Sequence, residues 1–90
     1  MKARWSVELE PRARKDLRSL GSVERRRVLE FLNERLRTLP NPRTLGAALT
    51  GRFAGHWKYR VGDIRIVAYI RDEEVLILVV QIGNRREVYR

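Results

Sequence analysis

Five residues have the types that chemistry on an anion requires: Lys58, Arg60 and Arg65 within HWKYRVGDIRIVAY, and Arg85 and Tyr89 near the end of the chain. The first stretch reads as strands around a Gly62-Asp63 turn. Side chains alternate along a strand, so Lys58 and Arg60 point one way while Trp57, Tyr59 and Val61 point towards a core. Arg65 follows the turn and lies within reach of Arg60 in a tight hairpin. Like charges across a ladder weaken it unless something anionic sits between them, so the hairpin reads as a phosphate site. If all five groups line one concave surface, the reaction they suit is cleavage of a phosphodiester within RNA. There the ribose 2′-hydroxyl is its own nucleophile. The protein has to hold it in line with phosphorus, stabilise the dianionic transition state and move protons. Arginines hold and stabilise, but a guanidinium is no base. Proton traffic then falls to Lys58, Tyr89 or the substrate, and gathered positive charge favours both a neutral amine and a phenolate.

Each residue taken singly has a plainer reading. Tyr89 can pack its ring on the sheet, Arg65 can pair with Asp63 or Glu87, and Lys58 can be a solvated strand residue. Converging from separate segments, however, they oppose folding, and a repulsive cluster kept against stability points to function. The lone His56 is expected to be structural or exposed.

The remaining composition narrows the partners. Lys plus Arg number 20 against 11 Asp plus Glu, a net charge of +9. The partner is therefore anionic: nucleic acid first, an acidic protein second, against the plain alternative of a merely basic soluble protein. No cysteine is present, and one histidine builds neither a metal site nor an acid–base pair. No metal and no cofactor are expected. No signal-like stretch and no run near the roughly 20 apolar residues of a membrane span occur, so a cytoplasmic protein without a membrane partner is expected. Ninety residues suit a single domain, 1–90.

The elements that must position the cluster follow from periodicity. Trp5, Val7 and Leu9 alternate with polar neighbours, the pattern of a half-buried strand. Pro11 opens a helix carrying Ala13, Leu17 and Leu20 on one stripe and ending at Gly21. Ser22 suits the cap of a second helix, whose Val28, Leu32, Leu36 and Leu39 face a sheet and which Pro40-Asn41-Pro42 stops. Arg25, Arg26 and Arg27 read as its solvated face. A loop with a short apolar element over Leu45–Leu49 leads to the hairpin, and Arg71-Asp72-Glu73-Glu74 turns into a last strand. That strand, Val75–Ile82, is apolar almost throughout and so belongs inside the sheet. The fold class is α+β: strand-helix-helix-strand-strand-strand, an antiparallel meander with two N-terminal helices packed on one face.

With these residues in place the sequence resembles a RelE-type toxin of the RelE/ParE superfamily of toxin–antitoxin modules, over nearly the whole chain. The resemblance rests on Val7–Ala13, Lys15-Asp16-Leu17 with Leu20, Asn41-Pro42-Arg43, Leu49-Thr50-Gly51, Trp57–Asp63 with Ile64-Arg65-Ile66, Ile82-Gly83 with Arg85-Arg86, and Val88-Tyr89. It implies a RelE/ParE-like, microbial-ribonuclease-like fold and a metal-independent, ribosome-dependent endoribonuclease that cuts mRNA in the decoding site and arrests translation. By that likeness Arg65 and Arg85 stabilise the transition state, Lys58 or Tyr89 handles protons and Arg60 holds the phosphate, while Arg52, Asn84, Arg86 and Arg90 complete the RNA-binding set. Two departures stand out: Asn84 occupies a position where many relatives have histidine, and the turn at Val61-Gly62-Asp63 is shorter than in some members. The implied partners are a RelB-like antitoxin, mRNA and the ribosome, with operator DNA reached only through the antitoxin. The alternatives are a ParE-like, non-enzymatic inhibitor of DNA gyrase and a nucleic-acid module that binds without cutting.

Overall fold

The computed structural model describes residues 4–84. Its regular elements are β1 (Ser6–Leu9), α1 (Pro11–Ser19), α2 (Ser22–Glu30), β2 (Ala47–Ala48), β3 (His56–Val61), β4 (Ile64–Arg71) and β5 (Leu76–Asn84). The strands share one sheet in the order β1-β5-β4-β3-β2. β3, β4 and β5 form the antiparallel meander read from the sequence. The sheet as a whole is mixed, because β1 lies parallel to β5 and the short β2 adds an antiparallel edge to β3. The parallel pairing half-buries one face of β1: Val7 beside Ile77 and Leu9 beside Val79 extend the apolar face of the interior strands. With β1 on one side and β4 on the other, β5 is interior, as its nearly unbroken apolar run implies.

Both helices cover one face. Ala13 of α1 and the four-residue steps Val28, Leu32 and Leu36 are buried against Ile64, Ile66, Ala68 and Ile70 of β4 and Ile77, Val79 and Ile82 of β5. In β5 the core positions change parity between Val79 and Ile82. This follows from a register shift opposite Val67 and Ala68, where Val67 pairs with Gln81 and Ala68 with Val79. Val80 is thus the extra residue of a β-bulge.

The second helix departs from a plain amphipathic helix at both ends. Gly21 is its N-cap, no side chain caps it there, and Ser22 is already helical. Arg25 closes the junction instead: its guanidinium donates to the carbonyls of Leu17, Arg18 and Leu20 at 3.4, 3.4 and 3.0 Å. The Leu17 carbonyl also accepts the Leu20 amide at 3.2 Å, and all three lie where the end of α1 runs short of helical donors. Arg25 is therefore a cap rather than part of a solvated face. Beyond Glu30 the chain widens into a π turn over Phe31–Arg35 and tightens into a 3-10 turn over Leu36–Thr38. Leu39 is then extended at ψ 145, as a residue preceding proline prefers.

Candidate functional site

The sheet face opposite the helices carries the cations. Residues directly paired across antiparallel strands share a face, and the register fixes successive rows on it. His56 pairs with Tyr69, Lys58 with Val67, and Arg60 with Arg65. The rows continue outward, Ala47 beside Lys58, Gln81 beside Val67 and Gly83 beside Arg65. Trp57, Tyr59 and Val61 point the other way and join the core, as the alternation requires. The hairpin is tight: Gly62 at φ 59 supplies the left-handed residue of a two-residue turn. Positive φ at the first central position but not at the second, Asp63, belongs to the II′ type, whose twist matches the flanking strands. This brings Arg60 and Arg65 directly opposite one another.

Leu45, Gly46, Ala47, Lys58, Tyr59, Arg60 and Arg65 line a depression of about 230 Å³ at the edge of β3, where β2 gives out. Among the described residues neither Lys58, Arg60 nor Arg65 forms an ion pair. Nε of Arg65 is buried and has no hydrogen-bond partner among them. Nδ1 of His56 and Nε2 of Gln81 share that condition, and both lie on the same sheet face. Buried polar atoms are normally satisfied, so three open ones on one face set it apart from the helix-covered face among the described residues.

The loop bordering this cleft is fixed from below. The Tyr59 hydroxyl donates to the Pro42 carbonyl at 2.8 Å, and burial pushes the phenol up to about 12. Gly46 lies on the Tyr59 ring; a Cβ there would come within 2.9 Å of Cε1 and 3.1 Å of the Lys58 carbonyl oxygen. Arg43 grips Asp72 with two hydrogen bonds, 3.0 and 2.7 Å, and sits over the Trp57 ring at 5.8 Å. Those bonds hold the Asp72 carboxyl below the usual carboxylate range and the Arg43 guanidinium above its own. The Pro40 carbonyl accepts from Trp5 Nε1 at 3.4 Å. The cleft wall is thereby tied to the core and to the β4–β5 turn.

Of the residues singled out from sequence, Lys58, Arg60 and Arg65 meet in the cleft. Arg85, Arg86, Tyr89 and Arg90 lie outside the described residues. Arg52 is exposed on the Gly51–Phe53 turn with its guanidinium over the Phe53 ring at 5.7 Å, and it is not part of the cleft lining. Asn84 pairs with Ile64, a core residue, so the register sets it on the helix side of the sheet rather than with Arg65. Leu45, Gly46 and Ala47 were not legible as cleft residues; only the pairing of β2 with β3 puts them there. Arg27 and Arg35 were likewise missed. With Arg60 they line a neighbouring depression of about 420 Å³, together with Glu30, Phe31, Val61 and Gly62. Among the described residues no group of three or more potential metal-binding side chains is assembled, and no helix is long and apolar enough to cross a membrane.

Two helices on one face of a five-stranded mixed sheet make the α+β fold of RelE-like toxins in the RelE/ParE superfamily. Residues 7–89 match the family model described as the ParE toxin of the type II toxin–antitoxin system parDE, and the chain belongs to that family. Solved structures agree. A chain of the toxin–antitoxin complex RelBE2 from Mycobacterium tuberculosis is similar at 25% identity and a TM-score of 0.84, over 97% of this chain and 98% of that one. The isolated RelE toxin of E. coli is similar at 28% identity and 0.69, over 94% and 90%. The archaeal RelE–RelB complex from Pyrococcus horikoshii OT3 gives 25% identity and 0.71, over 94% and 99%. No curated protein matches the sequence.

Proposed function

We propose that this toxin is a metal-independent endoribonuclease that cuts mRNA in the ribosomal decoding site and thereby blocks translation in the cytoplasm. One observation carries the reading: Arg60 and Arg65 face each other directly, with Lys58 one row away, in a cleft where no carboxylate neutralises them among the described residues. That arrangement costs stability until an anion enters, and a scissile phosphate is such an anion. In the proposed reaction the ribose 2′-oxygen attacks the adjacent phosphorus and the 5′-oxygen leaves. Arg60 holds the phosphate and Arg65 donates to the oxygens that gain charge. Lys58 stands where it can take or return a proton, with Arg85 and Tyr89 assigned to charge stabilisation and proton transfer by their resemblance to the family. By the same likeness a RelB-like antitoxin covers the cationic face and links the toxin to operator DNA. The E. coli and Pyrococcus RelE structures in complex with their antitoxins support that partner.

The ParE description of the family model favours a second reading, a DNA gyrase inhibitor that acts by protein contact. Both are tested by adding the purified chain to a translating extract, mapping reporter mRNA ends with ribosome-free RNA as control, and running a gyrase supercoiling assay in parallel. The nuclease reading expects cuts only with ribosomes. Arg65→Ala should then slow cutting by about 10²- to 10³-fold, as loss of one transition-state donor does. It should also raise stability by about 0.2–1 kcal/mol by removing a like-charge pair. Intact message together with blocked supercoiling would establish the second reading instead.

A further inference from the structure

We propose that Tyr69, backed by His56, is a stacking platform for one base of the RNA whose phosphate the arginines hold. The inference rests on the nuclease reading and adds to it a subsite that the cation cluster does not contain. Tyr69 is 40% exposed, although it belongs to a strand otherwise buried along most of its length. Its row, His56 with Tyr69, lies on the cationic face next to Lys58 with Val67, and Arg60 with Arg65 follow. Successive rows on one face are about 7 Å apart along the strand, a short reach for a base attached to a phosphate at Lys58.

The ring is held rather than loose. His56 lies against it, centroids 5.3 Å apart and planes at 55°, and Phe53 meets His56 edge-on at 6.0 Å and 89°. An aromatic ring fixed in this way presents a face on which any base can stack. Past Tyr69 the surface changes sign. A depression of about 470 Å³ is lined by Tyr69, Ile70, Arg71, Asp72, Glu73 and Glu74. Asp72 is paired with Arg43 and Glu74 with Arg71, whereas Glu73 forms no ion pair among the described residues. Carboxylates there turn phosphate away. A strand anchored at Lys58 and Arg60 thus meets cations, then an aromatic, then negative charge, an order in which the group arriving at Tyr69 is a base and not the backbone.

The test compares wild type, Tyr69→Ala, Tyr69→Leu and Tyr69→Phe in the translating extract, reading both the cutting rate and the distribution of cut positions. Loss of a base stack should slow Tyr69→Ala and Tyr69→Leu by about tenfold or more and redistribute their cuts, while Tyr69→Phe, which keeps the ring, restores both. Thermal melts of the free proteins show that each variant is folded. Wild-type rate and positions in Tyr69→Ala or Tyr69→Leu would overturn the platform. So would unchanged cutting with weaker neutralisation by the antitoxin, which would make Tyr69 a protein contact. A wild-type chain that leaves message intact would overturn the nuclease reading, and this subsite with it.

Discussion

At the scale of single residues, Tyr59 does the most to shape the site without belonging to its chemistry. Its neighbours Lys58 and Arg60 point into the cleft, while its own ring is 2% exposed in the core. Its hydroxyl is committed to the Pro42 carbonyl. Burial raises the folded phenol to about 12, against an unfolded value of about 10. A group whose folded value is raised gives stability that is complete below the unfolded value and is lost as pH climbs through the folded one. Denaturation followed by circular dichroism should therefore show stability falling by about 2–3 kcal/mol between pH 10 and 12, beyond any general alkaline effect. Tyr59→Phe should remove that component. At neutral pH the same variant should cost about 1–2 kcal/mol, because the Pro42 carbonyl is left without its donor. If Tyr59→Phe follows the wild-type alkaline curve, Tyr59 is not the group responsible.

At the scale of elements, α1 and β5 are joined at a point where the sheet would otherwise be open. β1 ends at Leu9, and Glu10 makes the last backbone bond of that edge, to Val79. The next free donor, the Ile82 amide, gives its hydrogen bond to Asp16 Oδ2 of α1 at 3.0 Å. Asp16→Ala should cost about 1–3 kcal/mol and speed hydrogen exchange at Ile82 more than at the β3–β4 amides; equal protection there would show that the edge closes by other means. This contact explains what sequence periodicity could and could not give. Alternation in Trp57–Val61, the four-residue steps of Val28, Leu32 and Leu36, and the apolar run of β5 each follow from local rules, and each set of side chains lies where those rules put it. The parallel seat of β1, the bulge at Val80, the edge β2 and the Asp16 tether each depend on residues far apart in the chain. No local period carries them. The same division runs through the site. Opposition of Arg60 and Arg65 was legible from a short turn, whereas the cleft wall at Leu45–Ala47, and Arg27 and Arg35 beside Arg60, required the tertiary fold.

At the scale of the whole molecule, the question is whether a net charge of +9 acts as a diffuse field or as a track. Arg60 borders two depressions: one shared with Lys58 and Arg65, the other with Arg27 and Arg35. The second places three guanidinium groups against a single carboxylate, Glu30, which leaves it net positive and continuous with the first around the hairpin. A track releases counterions from specific contacts, so each phosphate contact removed should shallow the dependence of log K on log salt by about 0.7 for single-stranded RNA. The free toxin should therefore bind a short, 2′-O-methylated RNA with a steep salt dependence. Arg27→Gln and Arg35→Gln should each flatten that slope by roughly this amount, while Arg14→Gln, on exposed α1, should leave it unchanged. A diffuse field predicts otherwise: every arginine lost from the surface would weaken binding alike, and the slopes of all three variants would shift together. Separate behaviour of Arg14 would establish both that RNA follows a path on this surface and that the path runs from the cleft over the hairpin and along the second helix. In that case Arg60 serves both halves, and its loss should affect the salt slope and the cutting rate at once.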